Sequence, residues 1–397
     1  MPKARTALVI GGGIAGPVAA MALQRAGIEA TVYEAHPGPA DGVGGGLGLA
    51  PNGLHALGLV GADEAVRDIG IPVPSMVMRS WTGKELARFG ETGGPPIMHT
   101  VWRSDLYRAL CDTATRAGVK IEFGARLKSL HDNGDSVTAS FVDGSTATAD
   151  ILVGADGVRS SVRAMIDPSA PGPSSTGLVG FGGWSEAKIP YTDGAMNFVF
   201  GKRAFFSYTV APSGRVGWFA NLPRKEFLTI ADAQAVGLDT WLRVLEETFA
   251  GDRTPAVPIL RGSSPELCVT TGTLEIMRPA PRWHRGRVVL IGDAAHVPSP
   301  SSGQGASQAI EGAIHLARCL RDLPIEDAFP AYEGLRRERV ERITAAAERT
   351  NRNKAAGPVA RVLRDLLMPP MMRLFTKPDQ LAWQYDYRID WDARVAK

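Results

Sequence analysis

The sequence TALVIGGGIAGPVAAMALQRAGIEATVYEAH, residues 6–36, constrains the fold more strongly than any other stretch of this chain. Its apolar periodicity predicts a strand, a glycine-rich turn, a helix over residues 16–25 and a second strand. Within the turn, Gly11, Gly13 and Gly16 match the G-x-G-x-x-G pattern. These glycines suit a tight bend, a close approach of the backbone to a pyrophosphate and close helix–strand packing. Because a helix N-terminus also favours phosphate, we expect a dinucleotide-binding unit.

Glu34 follows the second predicted strand, 18 residues after Gly16. A carboxylate at this position of a dinucleotide-binding unit accepts hydrogen bonds from the ribose hydroxyls of adenosine. FAD and NAD carry free hydroxyls on that ribose, whereas NADP carries a phosphate. The first unit therefore favours FAD or NAD over NADP.

The next part of the chain departs from the regular strand–helix alternation of a simple NAD-dependent dehydrogenase. A helix that opens near Pro51 precedes another that we expect Ser104 or Asp105 to cap and Gly118 to end. A strand and a hairpin follow, and the hairpin turns at residues 143–144. Such an antiparallel meander argues against a simple dehydrogenase.

A second glycine-rich loop lies about 280 residues after the first, in LIGDAAHVPSPSSGQGASQAIEGA, residues 290–313. It follows an apolar strand-like run and opens a helix near residues 305–307. A loop of this kind usually holds an anion at the helix N-terminus. The chain therefore presents two such loops.

Four segments occur together in this chain: the first glycine loop, Arg103, GADGVRSSVR at 154–163 and GDAAHVPSPSSGQGA at 292–306. In this order they resemble the single-component FAD-dependent monooxygenases related to p-hydroxybenzoate hydroxylase, in the short salicylate hydroxylase-type subgroup. The resemblance implies an α/β fold with a Rossmann-like FAD-binding domain, an inserted antiparallel β-sheet substrate domain and C-terminal helices. The implied division is FAD-binding residues 1–75, 101–175 and 276–355, substrate-binding residues 76–100 and 176–275, and a C-terminal helical segment 356–397.

The resemblance also implies a single FAD that spans both loops, with its pyrophosphate at the first loop and its ribityl chain near Asp293. The segment at Asp156 would serve both FAD and the nicotinamide cofactor. Negative charge develops on a flavin when it is reduced, and a helix N-terminus favours that charge. The expected FAD-binding residues are Gly11, Gly13, Ile14, Ala15, Gly16, Glu34, Ala35, Arg103, Leu127, Asp156, Asp293, Pro300, Gly303, Gly305, Ala306 and Ser307.

For the reaction, the resemblance implies that NADH or NADPH reduces the flavin and that O2 then forms a flavin hydroperoxide. This species would hydroxylate, or epoxidise, an aromatic or polycyclic small molecule at a site that excludes water. The chain lacks the W-x-W-x-I-P motif of flavin halogenases and the F-x-G-x-x-x-H-x-x-x-W motif of Baeyer–Villiger enzymes. The alternatives are an FAD-dependent reductase on the same fold and a non-catalytic protein that binds FAD and a ligand.

The catalytic residue is not identified by the sequence, and three candidates stand out. Pro300 matches the family's flavin-side proline, while His296 and Tyr208 carry groups that can move a proton. His296 has a second interpretation, as a histidine that packs under the loop. Strand-like segments between residues 176 and 271 supply aromatic candidates for the substrate pocket, and sheet core is the alternative for each of them. They are Phe181, Trp184, Phe206, Tyr208 and Trp218.

Net charge and cysteine spacing indicate which binding partners and which cellular compartment to expect. The net charge of +3 gives no reason to expect nucleic acid, and the basic residues of 336–352 alternate with glutamates as on a solvated helix face. Cys111, Cys268 and Cys319 are too widely spaced for a disulfide framework or a metal motif, so we expect a metal-free protein of the cytoplasm. The uncharged run 7–23 is too short for a membrane span and rich in glycine. We expect a monomer or a homodimer.

Overall fold

The computed structural model describes residues 3–38, 45–91, 94, 96–354, 363, 365–367, 369–370 and 382–396. Most of the predicted C-terminal segment therefore lies outside the described residues. The strands are β1 (Thr6–Ile10), β2 (Glu29–Glu34), β3 (Gly46–Leu49), β4 (Ile71–Val73), β5 (Ser75–Ser80), β6 (Glu85–Gly90), β7 (Met98–Trp102), β8 (Lys120–Phe123), β9 (Leu127–Asp132), β10 (Val137–Phe141), β11 (Thr146–Ala149), β12 (Ile151–Gly154), β13 (Ser174–Ser185), β14 (Met196–Phe200), β15 (Phe205–Val210), β16 (Val216–Pro223), β17 (Ser263–Ile276), β18 (His284–Arg285) and β19 (Val288–Leu290). The helices are α1 (Ala15–Arg25), α2 (Pro51–Gly58), α3 (Asp63–Ile69), α4 (Arg103–Arg116), α5 (Ser161–Ile166), α6 (Ile230–Ala235), α7 (Leu238–Phe249), α8 (Ala256–Arg261), α9 (Gly305–Asp322), α10 (Ile325–Lys354) and α11 (Ala382–Tyr385).

A six-stranded, mostly parallel sheet in the order β18-β19-β12-β1-β2-β8 forms the base of the molecule. Its central strands β1 and β12 are almost entirely buried, which is typical of parallel strands with helices on both faces. The meander β9-β10-β11 lies beside this sheet, and its hairpin turns at Gly144, whose φ of +90° suits glycine. The Rossmann-like α/β class that the sequence predicts is confirmed.

A seven-stranded sheet in the order β17-β13-β16-β15-β14-β5-β6 forms the second layer, and all its neighbouring strands except β14 and β5 are antiparallel. Its strands come from two separate parts of the chain, because β5 and β6 precede α4 and the other five follow α5. Helices α7 and α8 cover one side of the sheet, where Trp241 and Phe249 are buried.

Two local predictions are wrong. The helix α4 begins at Arg103 directly after β7, with extended Trp102 at its N-cap, so Ser104 and Asp105 lie within its first turn and do not cap it. The basic residues of α10 do not all face solvent, because Arg336 is fully buried in an ion pair with Glu311 of α9.

Candidate active site

The first glycine loop joins β1 to α1 and lies against the end of β12. Gly11 has a φ of +108°, and a Cβ atom there would overlap the carbonyl oxygen of Ala155. A Cβ atom at Gly16 would overlap the carbonyl oxygen of Gly11, so only glycine allows the helix to start this close to the strand. The loop thus has the backbone geometry for which the G-x-G-x-x-G pattern was interpreted.

Glu34 ends β2 beside this loop. Its carboxylate accepts hydrogen bonds from the backbone N–H of Gly12 at 2.5 Å and of His36 at 2.8 Å. The N–H of Ala125 donates to the carbonyl of Glu34 at 2.8 Å, which brings the start of β9, at Leu127, to the same edge. The role of Glu34 in binding adenosine, and those of Ala35 and Leu127 in binding FAD, remain predictions.

Helix α4 lines the first loop with a row of side chains spaced four residues apart. Arg103 donates from Nε to the hydroxyl of Tyr107 at 2.8 Å, and a Cβ atom at Gly13 would lie 3.6 Å from that hydroxyl. One turn further on, the thiol of Cys111 lies 3.6 Å from the carbonyl oxygen of Gly12. Tyr107 was not among the predicted site residues, although its i+4 spacing from Arg103 is a signal that sequence reasoning could have used.

The second loop meets the first one at Asp293. Gly292, with a φ of +55°, lies so close to α1 that a Cβ atom there would be 3.3 Å from the Cβ of Ala15. Burial raises the pKa of the Asp293 carboxyl, and the nearby Arg103 guanidinium opposes that rise. Arg103 therefore lies near both loops, and its contact with FAD remains a prediction.

The Asp156 carboxylate is already engaged within the protein. It accepts hydrogen bonds from the backbone N–H groups of Ser161 at 2.7 Å and Val162 at 3.1 Å, and from the Ser160 and Ser161 hydroxyls at 2.5 and 3.0 Å. Its role at the start of α5 is therefore local support, and direct FAD contact remains a prediction. Arg163, which sequence reasoning did not single out, donates to the Ala294 carbonyl at 3.0 Å and so ties this segment to the second loop.

His296 is 1% exposed, and neither ring nitrogen has a hydrogen-bond partner in the described part of the chain. Its ring lies 5.4 Å from that of Trp283. Burial, with a further contribution from Arg336, lowers the pKa of His296 to about 3. These contacts match the interpretation of His296 as a packing residue rather than a base. Pro300, by contrast, is exposed at the start of a short 3-10 helix.

The N-termini of α2 and α9 lie side by side next to the second loop. The N–H of Ala50 donates to the Ser307 hydroxyl at 3.4 Å, and Asn52 donates to the Gln304 side chain at 2.9 Å. A Cβ atom at Gly53 would lie 2.5 Å from the Ser307 hydroxyl oxygen, so the two helices are in direct contact. Gly305 and Ala306 are the first two residues of α9, and Gly303 precedes its N-cap residue Gln304. The first-turn N–H groups of a helix have no intrahelical partners, which makes this a favourable position for an electronegative ligand edge.

The aromatic pocket candidates divide between the two sides of the seven-stranded sheet. Phe181, Phe206, Tyr208 and Trp218 belong to the hydrophobic core under α7 and α8, the alternative that the sequence left open for each of them. Trp184 lies on the opposite side, with its ring 6.0 Å from that of Trp102.

This opposite side, called the inner face below, is directed towards β7 and the residues just before α4. Met98 of β7 packs against Met196, and a Cβ atom at Gly182 would lie 3.9 Å from the Cα of Gly45. Strand alternation and register place the following side chains on the inner face. They are Met76, Met78, Trp184, Met196, Phe198, Phe205, Ser207, Thr209 and Phe219.

Within the described ranges, no group of three or more histidine, cysteine, aspartate or glutamate side chains is arranged to hold a metal ion. No helix among those described is both long enough and apolar enough to cross a membrane.

The arrangement fits FAD. The backbone of the first loop suits the pyrophosphate, Arg103 and Asp293 connect the two loops, and α9 presents its N-terminus beside the second loop. An FAD-binding-domain family model matches residues 4–215 and 275–347 of the chain.

Related proteins and structures agree with this match. An FAD-dependent urate hydroxylase from Klebsiella pneumoniae is 32% identical over 356 residues, which cover 86% of this chain and 88% of that protein. Aurachin C monooxygenase/isomerase from Stigmatella aurantiaca is 30% identical, over 88% of this chain and 89% of its own. The crystal structure of Klebsiella pneumoniae HpxO with FAD and uric acid superposes with a TM-score of 0.81, at 28% identity over 93% of this chain and 94% of that one. The chain belongs to this family of FAD-dependent monooxygenases, and FAD is its cofactor.

Proposed function

We propose that this monooxygenase inserts oxygen into a neutral, largely apolar aromatic compound that carries a carbonyl or hydroxyl group. NADH or NADPH would be the electron donor and O2 the co-substrate. The observation that carries the choice of substrate is the chemistry of the inner face. Strands β13–β16 contain no charged residue, and their inner-face side chains include Phe198, Phe205 and Phe219.

An ionised substrate would be poorly accommodated against these strands. Removing a charge from water without an opposite charge or hydrogen bonds costs several kcal/mol or more. Aromatic and methionine side chains instead gain free energy by covering a flat apolar ring system. Arg215, which stacks on Trp184 at 4.8 Å, is already paired with Glu186 at 3.0 Å.

Two hydroxyl groups support the polar part of the proposal. Ser207 Oγ and Thr209 Oγ1 are buried on the inner face and have no hydrogen-bond partner among the described residues. Buried polar groups in proteins nearly always find a partner, so an unpaired pair of hydroxyls beside a binding site favours a ligand with a carbonyl or hydroxyl group.

The chain's own residues would hold the cofactor, orient the substrate and exclude water. Gly11, Gly13 and Gly16 would bind the FAD pyrophosphate, Glu34 the adenosine, and Asp293 with the first turn of α9 the redox end. Bound FAD supplies electron transfer from the nicotinamide and activation of O2. The apolar inner face would keep water away, since water diverts the oxidising equivalent to peroxide.

The cellular compartment and the oligomeric state belong to the same proposal. Cys111, Cys268 and Cys319 are all free and buried, which suits a protein of a reducing compartment, and we propose the cytoplasm. A monomer or a homodimer would carry a complete site, because the first loop, the second loop and the inner face belong to a single chain.

The test measures NADH and NADPH consumption by the FAD-loaded protein in air. The panel contains neutral polycyclic phenols and quinolones beside ionised ring acids of similar size, and mass spectrometry checks products for one added oxygen. We expect neutral compounds to stimulate consumption and gain oxygen. Stimulation by the ring acids alone would refute the proposed substrate class. An FAD-loaded protein that no compound stimulates would favour a reductase with another donor or a non-catalytic binding protein.

A pair of variants separates the two sides of the sheet. Phe219→Leu changes the inner face, whereas Phe206→Leu makes the same change in the core under α7. Losing one aromatic contact of about 1 kcal/mol should raise the KM for the substrate roughly fivefold in Phe219→Leu. Phe206→Leu should lower stability while leaving the KM within about twofold of wild type, and the opposite pattern would contradict the placement of the substrate.

A further inference from the structure

A buried ion cluster lies behind the N-termini of α2 and α9. Glu311 of α9 is fully buried and accepts one hydrogen bond from Arg336, at 2.6 Å. It accepts two more from Arg339, each at 2.9 Å. It also accepts from Asn52 at 2.6 Å, and Arg336 donates to Gln308 at 2.5 Å. None of these side chains belongs to the residues expected to touch FAD.

The cluster reaches the second loop through side-chain amides. Asn52, at the second residue of α2, donates both to Glu311 and to the side chain of Gln304, which is fully buried and is the N-cap residue of α9. Asn52 therefore fixes the start of α9 relative to the start of α2. If this link were absent, only the weaker contact of Ala50 with Ser307, at 3.4 Å, would join the two helix starts by a hydrogen bond among the described residues.

Arg339 extends the cluster to the C-terminal part of the chain. It donates to the carbonyl groups of Trp383 at 2.7 Å and Gln384 at 2.9 Å. The side chain of Gln384 in turn lies 3.4 Å from the carbonyl oxygen of Ser302, within the second loop. The loop is thus supported from two directions by groups that converge on one carboxylate.

The charges of the cluster do not cancel. Two guanidinium groups face a single carboxylate, which leaves one net positive charge directly behind two helix N-termini. His296 and His315 are neutral near pH 7, because burial and Arg336 lower the pKa of both to about 3. A positive charge in a low-dielectric interior favours the more negative of two ligand states.

We propose that Glu311, Arg336, Arg339 and Asn52 are positioning residues that hold the two helix N-termini beside the flavin and raise the reduction potential of bound FAD. Asn52 supplies the positioning, and the excess guanidinium charge supplies the electrostatic effect. The proposal concerns FAD alone, so it stands or falls independently of the substrate.

The first test compares the reduction potential of FAD in Arg336→Met and Arg336→Lys. We expect the methionine variant to bind reduced FAD at least tenfold less tightly relative to oxidised FAD, which lowers the potential by about 30 mV for a two-electron couple. The lysine variant keeps the charge and should change this ratio less than threefold. Arg342→Met, the same substitution at an exposed position of α10, serves as the control and should also change it less than threefold.

The outcomes decide between an electrostatic and a merely structural role. An equal fall in potential for the methionine and lysine variants, or no fall in a folded methionine variant, would overturn the proposal. If Arg336→Met does not fold, Arg339→Met and Arg339→Lys repeat the comparison at a residue whose side chain is 10% exposed.

A second test isolates the positioning part. Asn52→Leu removes the link between Glu311 and Gln304 without changing the charge of the cluster. We expect the Kd of the apoprotein for oxidised FAD, measured by flavin fluorescence, to rise about tenfold, the effect of losing two hydrogen bonds to buried groups. A folded Asn52→Leu variant with wild-type FAD affinity would refute the role of Asn52.

Discussion

Lowering the pH from 7.5 to 5.5 should destabilise this protein through two buried histidines. His296 is 1% exposed and His315 is 3% exposed. Burial first, and then the positive charge of Arg336, lowers the pKa of each to about 3. In the unfolded chain, both imidazoles are in water, with an ordinary pKa of about 6.5.

The sign follows from where protons bind. Below about pH 6.5 the unfolded chain takes up a proton at each histidine, while the folded protein does not until the pH approaches 3. The contribution of the two neutral histidines to stability is therefore complete above pH 6.5 and is lost as the pH falls towards 3. Between pH 7.5 and 5.5 the ratio of unfolded to folded protein rises about tenfold for each histidine, which lowers the free energy of unfolding by about 1.4 kcal/mol. The two histidines together lower it by about 2.7 kcal/mol.

Urea unfolding of the FAD-loaded protein at pH 7.5, 6.5 and 5.5 measures this loss. Burial also lowers the pKa of His99 and His284, so one histidine is best isolated by substitution. His296→Phe should reduce the pH-dependent loss by about 1.4 kcal/mol. His131→Gln, at an exposed position, should leave it unchanged. The same pH dependence in His296→Phe as in wild type would refute the reasoning.

Three further substitutions test the FAD site. Gly16→Ala places a Cβ atom against the Gly11 carbonyl and should abolish FAD retention, as seen by the absorbance of the purified protein; a fully yellow variant would contradict this. Arg103→Met should raise the Kd for FAD roughly 10- to 100-fold, because FAD loses a charged partner. Arg103→Lys should have a Kd between those of wild type and Arg103→Met. Equal affinity of wild type and both variants would argue against contact of Arg103 with FAD. Gly53→Ala should weaken FAD binding and lower stability by about 1–3 kcal/mol in urea unfolding, because its Cβ meets Ser307; unchanged values would show that the two helices separate at little cost.

The elements with strong local signals were predictable from sequence. The first loop and its flanking strands follow from apolar periodicity and glycine spacing, and the structure has β1, α1 and β2 where they were expected. Strands within residues 176–271 and the turn at 143–144 were also predicted, because turn residues separate the strands clearly. The start of α4 was not, since β7 passes into the helix without a loop and the N-cap residue Trp102 makes no side-chain cap hydrogen bond.

The sides of the second sheet could not be assigned from sequence. Period-two alternation separates Phe206 and Tyr208 from Phe205 and Ser207, but it does not say which set faces helices and which faces the FAD-binding part. That choice depends on α7 and α8, whose packing against Phe206 and Trp218 exists only in the folded chain. Each set combines a phenylalanine with a residue that carries a hydroxyl group, so their composition carries no signal either.

The ion cluster shows a second limit of pattern reading. Arginine and glutamate at helical spacing in α10 have the pattern of an exposed, self-paired helix. Arg337 does pair with Glu333 four residues earlier, although both side chains are half-buried. Arg336 immediately precedes Arg337 in the chain, yet its side chain is directed inward, where it pairs with Glu311 of α9. A carboxylate surrounded by apolar residues of α9 was the available signal, since an unpaired charge would be costly there. A lone buried acid in a predicted core helix thus implies a cation on a neighbouring element, and here that cation lies behind the flavin site.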